Sequence, residues 1–218
     1  TGEILVDELH TQIPEHRLKE TEKLVSILGN EVVEEFPWKN GMKPSTNDNV
    51  EGVLRRTWRP ALSIVGSDGL PPTANAGNVL RPYTTLQLSM RIPPMVDAKK
   101  ATEAIKKKLT ESIPYEASVK LHFEEAADGW NAPETSPWLI EAIEKASENY
   151  FDEKPCSISE GGTIPFMAML GERFPNAQFV ITGVLGPQSN AHGPNEFLHI
   201  PFAKKLTCCI SSIISDFQ

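Results

Sequence analysis

Cysteine is scarce in this chain, and the little there is does not suggest crosslinking. Cys156, Cys208 and Cys209 form an odd set with two neighbours on an expected helix, which excludes a disulfide framework and fits a reducing compartment. Cys208 and Cys209 are read as helix packing, because a free thiol behaves as a small apolar group. No Cys-x-x-Cys or Cys/His cluster occurs, so a structural zinc finger is excluded. Lys/Arg tracts are also missing, and the net charge is −8, which removes nucleic acid and anionic membranes as partners. No apolar run approaches the roughly 18 residues of a membrane span. A cytoplasmic location is the resulting expectation. No signal peptide is visible. The opening Thr1-Gly2-Glu3 carries no initiator methionine, so an excised piece is expected, with upstream targeting sequence left open.

What is present reads as a globular chain. Its 218 residues admit one large domain or two small ones, and 39% hydrophobic with 23% charged residues is ordinary composition. A helix is predicted over residues 14–35, with Leu18, Thr21, Val25, Leu28 and Val32 on one face. Residues 37–60 are expected to be irregular, because Pro37, Gly41, Pro44, Asn47, Asn49 and Gly52 are all breakers. Strands follow over 61–65 and 84–92. The second alternates Leu86, Leu88 and Met90 with polar residues. Asp97 is placed to cap a helix to about residue 112, with Ala98, Ala101, Ile105 and Leu109 inward. A third strand is predicted around Val119, Leu121 and Phe123. This first part is an α+β layer: an antiparallel sheet with helices on one face.

Composition shifts over residues 128–137, a boundary rich in Gly, Pro and Asn. Ser136 is expected to cap a helix opened by Pro137 and buried along Leu139, Ala142, Ile143 and Ala146. Short strand 156–159, a turn at 160–163, a helix from 164, strand 177–185 and a final helix over 201–217 complete an α/β segment. The near-continuous apolar character of 177–185 predicts a strand covered on both faces. Phe202, Leu206, Cys209, Ile210 and Ile213 are expected inward on the last helix.

Chemistry is concentrated after strands. Gly186-Pro187-Gln188-Ser189-Asn190-Ala191-His192-Gly193-Pro194-Asn195-Glu196 puts a histidine on a stiff loop at a strand end, where ligands gather in α/β sheets. Imidazole is the commonest metal ligand, and a lone loop histidine is also an ordinary surface residue. Glu160-Gly161-Gly162-Thr163 joins a strand to a helix start, either an anion-binding turn or a plain tight turn. Arg91 is a carboxylate clamp or a solvent-facing residue. Asn78 sits in a turn. His10, His16, His122 and His199 show no metal-ligand spacing and are read as surface or packing residues.

The order Gly77-Asn78-Val79-Leu80-Arg81-Pro82, Arg91, Glu160-Gly161-Gly162-Thr163-Ile164-Pro165 and Asn190-Ala191-His192-Gly193-Pro194-Asn195-Glu196 resembles the dinuclear-zinc metallopeptidases, the family of carnosinase-type and cysteinylglycine dipeptidases and aminoacylase. The resemblance implies that residues 1–128 are the later part of a lid or dimerisation domain, with an insertion-like N-terminal segment. Residues 129–218 would be the end of a larger catalytic domain. It implies that His192 is a zinc ligand and that Gly161, Gly162 and Thr163 line the substrate pocket. Glu160 would face the substrate's amino end, and Arg91 would bind its terminal carboxylate. Asn78 would polarise the scissile carbonyl, in a partner subunit's site of a homodimer. The cofactor implied is a pair of zinc ions, with manganese or cobalt as alternatives, activating water against a small peptide. The family's His-x-Asp pair, bridging Asp and Glu-Glu pair are not found; Glu124-Glu125 is read as solvent-facing. The parent is therefore expected to be a dipeptidase and this chain alone inactive, without a catalytic residue of its own and without retained metal. The alternatives are an N-acyl-amino-acid deacylase and a non-catalytic dimerisation module. Exposed apolar surface is expected where the sheet lacks cover.

Overall fold

In the computed structural model, the chain divides into two units, Thr1–Asn131 with Ile158–Met169, and Ala132–Ser157 with Leu170–Gln218. The structure describes residues 2–160 and 165–217.

The first unit opens with helices α1 (Glu15–Leu28) and α2 (Glu31–Glu34). The continuous helix predicted over 14–35 is broken because Gly29 takes φ 55° and ψ −126°, values outside any helix. Residues 37–48 are irregular as expected, but helix α3 (Asn49–Thr57) takes up most of the remainder of the 37–60 stretch. Its start is set by Asp48, whose Oδ1 accepts the N–H groups of Val50 and Glu51 at 2.9 and 3.3 Å. That cap, together with burial of Val53, Leu54 and Thr57, outweighs the helix-weakening Gly52. Leu24, Val32 and Val53 form the core between these helices. Glu51 also accepts from Arg55 and Arg59, at 3.2 and 3.1 Å.

Strands β1 (Ala61–Asp68) and β2 (Thr85–Arg91) pair antiparallel, from Ala61 opposite Arg91 to Asp68 opposite Thr85, with a bulge between Ile64 and Gly66. Helix α4 (Ala98–Thr110) starts as predicted, with Asp97 accepting Lys100 N–H at 2.9 Å. Asp128 Oδ1 adds a second tie at 2.7 Å to Ala98 N–H. Leu9, Val96 and Ala101 are buried together beneath Met90, Ile92 and Ile105. Leu109, expected inward, is exposed.

The predicted third strand is not formed. Val119, Leu121 and Phe123 lie in irregular chain and are exposed. Alternation gives a segment two faces, but a strand also needs a neighbour's N–H and C=O groups. Among the described residues the sheet therefore has two strands, and Leu62, Ile64, Leu86 and Leu88 on it are exposed.

The second unit is built on α5 (Pro137–Phe151) and α7 (Ile200–Ser215); α6 (Pro165–Arg173) crosses the division between the units. Leu139, Ala142 and Ala146 pack against Cys209 and Ile213. Cys209 Sγ lies 3.4 Å from Ala146 O, and burial pushes its thiol pKa up. Cys208 is exposed, so helix packing explains only one of the adjacent pair. Lys145 Nζ donates to Asp216 Oδ2 at 2.9 Å, joining α5 to the end of α7. Ser136 precedes α5 but makes no side-chain cap; instead its N–H donates to Gln178 Oε1 at 2.6 Å.

Neither strand predicted for this part is present. Residues 156–159 and 177–185 are irregular, and Val180, Ile181 and Val184 are exposed rather than buried. The reason is again the missing neighbour: no described strand lies beside them to complete a ladder. The α/β segment is represented by its helices.

The Arg59 and Arg55 guanidiniums hold the Glu51 carboxyl below its ordinary pKa, against an opposing effect of partial burial. A lowered carboxylate pKa adds stability that is complete above about pH 4.3 and is lost as pH falls through the lowered value. The stability difference between the parent chain and Glu51→Gln should be widest above about pH 4.3 and close below it. Thermal melts followed by circular dichroism across that range check this; a constant difference would show that the pair does not act electrostatically.

Candidate functional site

The loop over 186–196 leads into α7, and its geometry is set at both ends. At its base, His199 N–H donates to Leu185 O at 2.7 Å, and Phe197 N–H donates to Ser189 O at 3.1 Å. His199 Nδ1 then accepts Phe202 N–H at 3.1 Å, capping α7. A histidine read from sequence as a surface or packing residue is therefore the helix cap. Gly186 has φ 88°, and a Cβ there would lie 2.7 Å from His199 Cβ and 3.0 Å from Phe202 Cβ. Only glycine combines that backbone with that approach. Ser189 is buried, and its Oγ donates to Gly186 O at 2.6 Å.

The tip is held by its own side chains. Gly193 N–H donates to Asn190 O at 2.9 Å, and Asn190 Nδ2 donates to Pro194 O at 2.6 Å. His192 N–H donates to Glu196 Oε2 at 2.6 Å. Gln188, Asn190, His192 and Asn195 all take left-handed φ, between 54° and 61°. Asn and His are among the non-glycine residues that enter this region most readily. His192 is exposed at the tip. Sequence reading singled out His192 but not the work of Asn190 and Glu196, although both stand in the same motif.

The other candidates belong to the first unit. Arg91 ends β2 opposite Ala61, and Asn78 lies in the connection that leaves from the Asp68 end of the ladder. The strand pair sets Arg91 about 20 Å from where that connection attaches. Asn78 is exposed in a bend, with Val79 N–H donating to Gly77 O at 2.9 Å. Glu160 is exposed in irregular chain, as are Glu124 and Glu125. Gly161, Gly162 and Thr163 lie outside the described residues.

The donor set does not by itself hold a catalytic metal. No group of three or more His, Cys, Asp or Glu side chains able to bind an ion occurs among the described residues. His192 offers one imidazole, and the carboxylate next to it already accepts the His192 N–H. A catalytic zinc takes about three protein ligands.

No family model matches the chain. Among curated proteins it is similar to the cysteinylglycine-S-conjugate dipeptidase of Corynebacterium striatum, at 24% identity over 152 residues, covering 67% of this chain and 33% of that protein. Its fold matches human carnosine dipeptidase 1, with TM-score 0.67 and 18% identity over 99% of this chain and 45% of the other. It also matches the di-peptidase Dug1p of Saccharomyces cerevisiae, with TM-score 0.69 and 20% identity over 99% of this chain and 45% of that one. An M20 family metallo-carboxypeptidase of Sulfolobus solfataricus matches with TM-score 0.66 and 18% identity, over 96% and 46%. The resemblance read from the motifs thus extends to the fold. The chain spans a third of the curated relative and under half of each solved chain.

Gly186→Ala should destabilise the second unit by about 1–2 kcal/mol or more, from the left-handed backbone alone, with the His199 contact adding to it. Urea unfolding of the purified chain measures this; an unchanged midpoint would mean that the loop base is not closed as described.

Proposed function

We propose that this chain is the carboxyl-side portion of a zinc-dependent dipeptidase that hydrolyses short peptides. The observation that carries the reading is the fold match to two dipeptidases over 99% of the chain, together with His192 held on its closed loop. In this reading His192 is the metal ligand that these residues supply, with manganese or cobalt as the alternatives to zinc. Arg91 clamps the terminal carboxylate of the peptide, which its planar fork suits. Asn78 donates to the scissile carbonyl from a lid, Glu160 faces the amino end, and Gly161, Gly162 and Thr163 line the substrate pocket. One imidazole does not hold a catalytic ion, so we assign no hydrolytic step to the 218-residue chain and read it as inactive alone.

Residues 1–128 form the lid part of this proposal and 129–218 the catalytic part. Exposure of Leu62, Ile64, Leu86 and Leu88 supports association of two copies through the lid sheet. The absence, among the described residues, of a helix long and apolar enough to cross a membrane is compatible with the cytoplasmic placement that the free thiols suggest.

The test is peptide hydrolysis with zinc present. The purified 218-residue chain should be inactive, and a longer protein containing it should hydrolyse dipeptides. In that longer protein His192→Ala should lower kcat/KM on the order of a hundredfold or more. Metal-dependent hydrolysis by the short chain would overturn its inactivity. Unchanged hydrolysis in His192→Ala would overturn the ligand assignment and favour a non-catalytic dimerisation module. Preference for N-acyl amino acids over free-amino dipeptides would move the assignment to a deacylase.

A further inference from the structure

We infer that Glu196 is a positioning residue for His192, fixing its backbone in the left-handed conformation and so fixing where the imidazole stands. The functional interest of that position rests on the reading of His192 as a site residue; the positioning itself does not. The bond that does this is short and charge-assisted: His192 N–H to Glu196 Oε2 at 2.6 Å. It spans four residues and closes the half of the tip that no backbone bond closes. The other half is closed by Gly193 N–H to Asn190 O and by Asn190 Nδ2 to Pro194 O.

His192 has φ 61°, a left-handed conformation that histidine enters more readily than most side chains but still at a cost, so a bond that holds it there biases the backbone. Asn190 also fills the space beside Gly193, where a Cβ would lie 2.6 Å from Asn190 Nδ2 and that side chain would have to shift to admit it. Glu196 therefore constrains the histidine from one side and Asn190 constrains the following residue from the other. Both side chains are exposed, so neither is placed by burial, and hydrogen bonding is what holds them. With the main chain of His192 fixed, the ring moves only about its own side-chain torsions. A ligand arranged in this way loses little freedom on binding. Glu196 is thus separate from the loop's base, which the Leu185–His199 and Ser189–Phe197 bonds close.

The test is nuclear magnetic resonance on the 218-residue chain as the parent, Glu196→Gln and Glu196→Ala. The parent should show slow hydrogen exchange at the His192 amide and Cα and Cβ shifts of a left-handed residue. Glu196→Gln keeps an acceptor oxygen and should keep both signatures. Glu196→Ala should speed exchange at the His192 amide about tenfold or more and shift its Cα and Cβ away from left-handed values. The Phe197 and His199 amides should remain as protected as in the parent. Unchanged His192 signals in Glu196→Ala overturn the inference. Loss of protection at Phe197 and His199 together with His192 also overturns it, because Glu196 would then be a general staple of the loop. These outcomes are independent of hydrolysis: if His192→Ala leaves the longer protein's activity intact while the resonance result holds, the functional reading fails and the positioning role stands.

Discussion

The seam between α5 and α7 is the constraint from which the candidate site hangs. Ala142 and Ala146 bring α5 close enough for Cys209 and Ile213 to be buried against it. Small side chains allow that approach, and the buried contact fixes the axis of α7. His199 caps the helix, Gly186 packs on His199 and Phe202, and the loop carrying His192 begins at Gly186. Each step is a short-range contact, and together they carry rigidity from an apolar core to an exposed imidazole. The Lys145–Asp216 pair at the far end of α7 is an exposed contact and adds little by comparison.

Much of this was legible in the sequence, and the part that was not has a common physical cause. Helices α4, α5 and α7 are legible because period-3.6 burial, joined at α4 by the Asp97 cap, is a local signal. The β1–β2 pair was read because both of its strands lie within the chain. The segment around Val119, Leu121 and Phe123 and the segment 177–185 carry the right alternation or apolarity, yet the described residues place no strand beside them. A strand is a relation between two stretches of backbone, and one stretch cannot report whether the other is present. The opposite holds at α3: its breakers taken one by one predict irregular chain, while Asp48 and the buried Val53, Leu54 and Thr57 act together to form a helix. Burial of Leu9 leaves no mark in the sequence, because a three-residue turn has no periodicity from which it can be inferred.

In the candidate site, the motif order pointed to His192 and the structure supplied the reason for its neighbours. Residues that looked like turn formers divide into distinct tasks. Gly186 permits approach to α7, Asn190 brackets the tip, and Glu196 accepts the His192 N–H. These tasks are invisible to a reading by residue type, because an Asn in a loop is ordinary whatever it bonds. Arg91 and Asn78 remain on the strand pair and its connection, in a separate unit from the loop.

The clasp at the loop base has a consequence for change by mutation. Since Leu185 O and His199 N meet at 2.7 Å, the stretch between them leaves and re-enters the scaffold at nearly one point. The closure cost of such an arc grows only slowly with its length. Insertions or deletions within it leave the register of α7 untouched. The arc is thus a cassette: its contents can be rewritten, or carried to another helix start with the same glycine and capping histidine, while the scaffold behind it stays as it is.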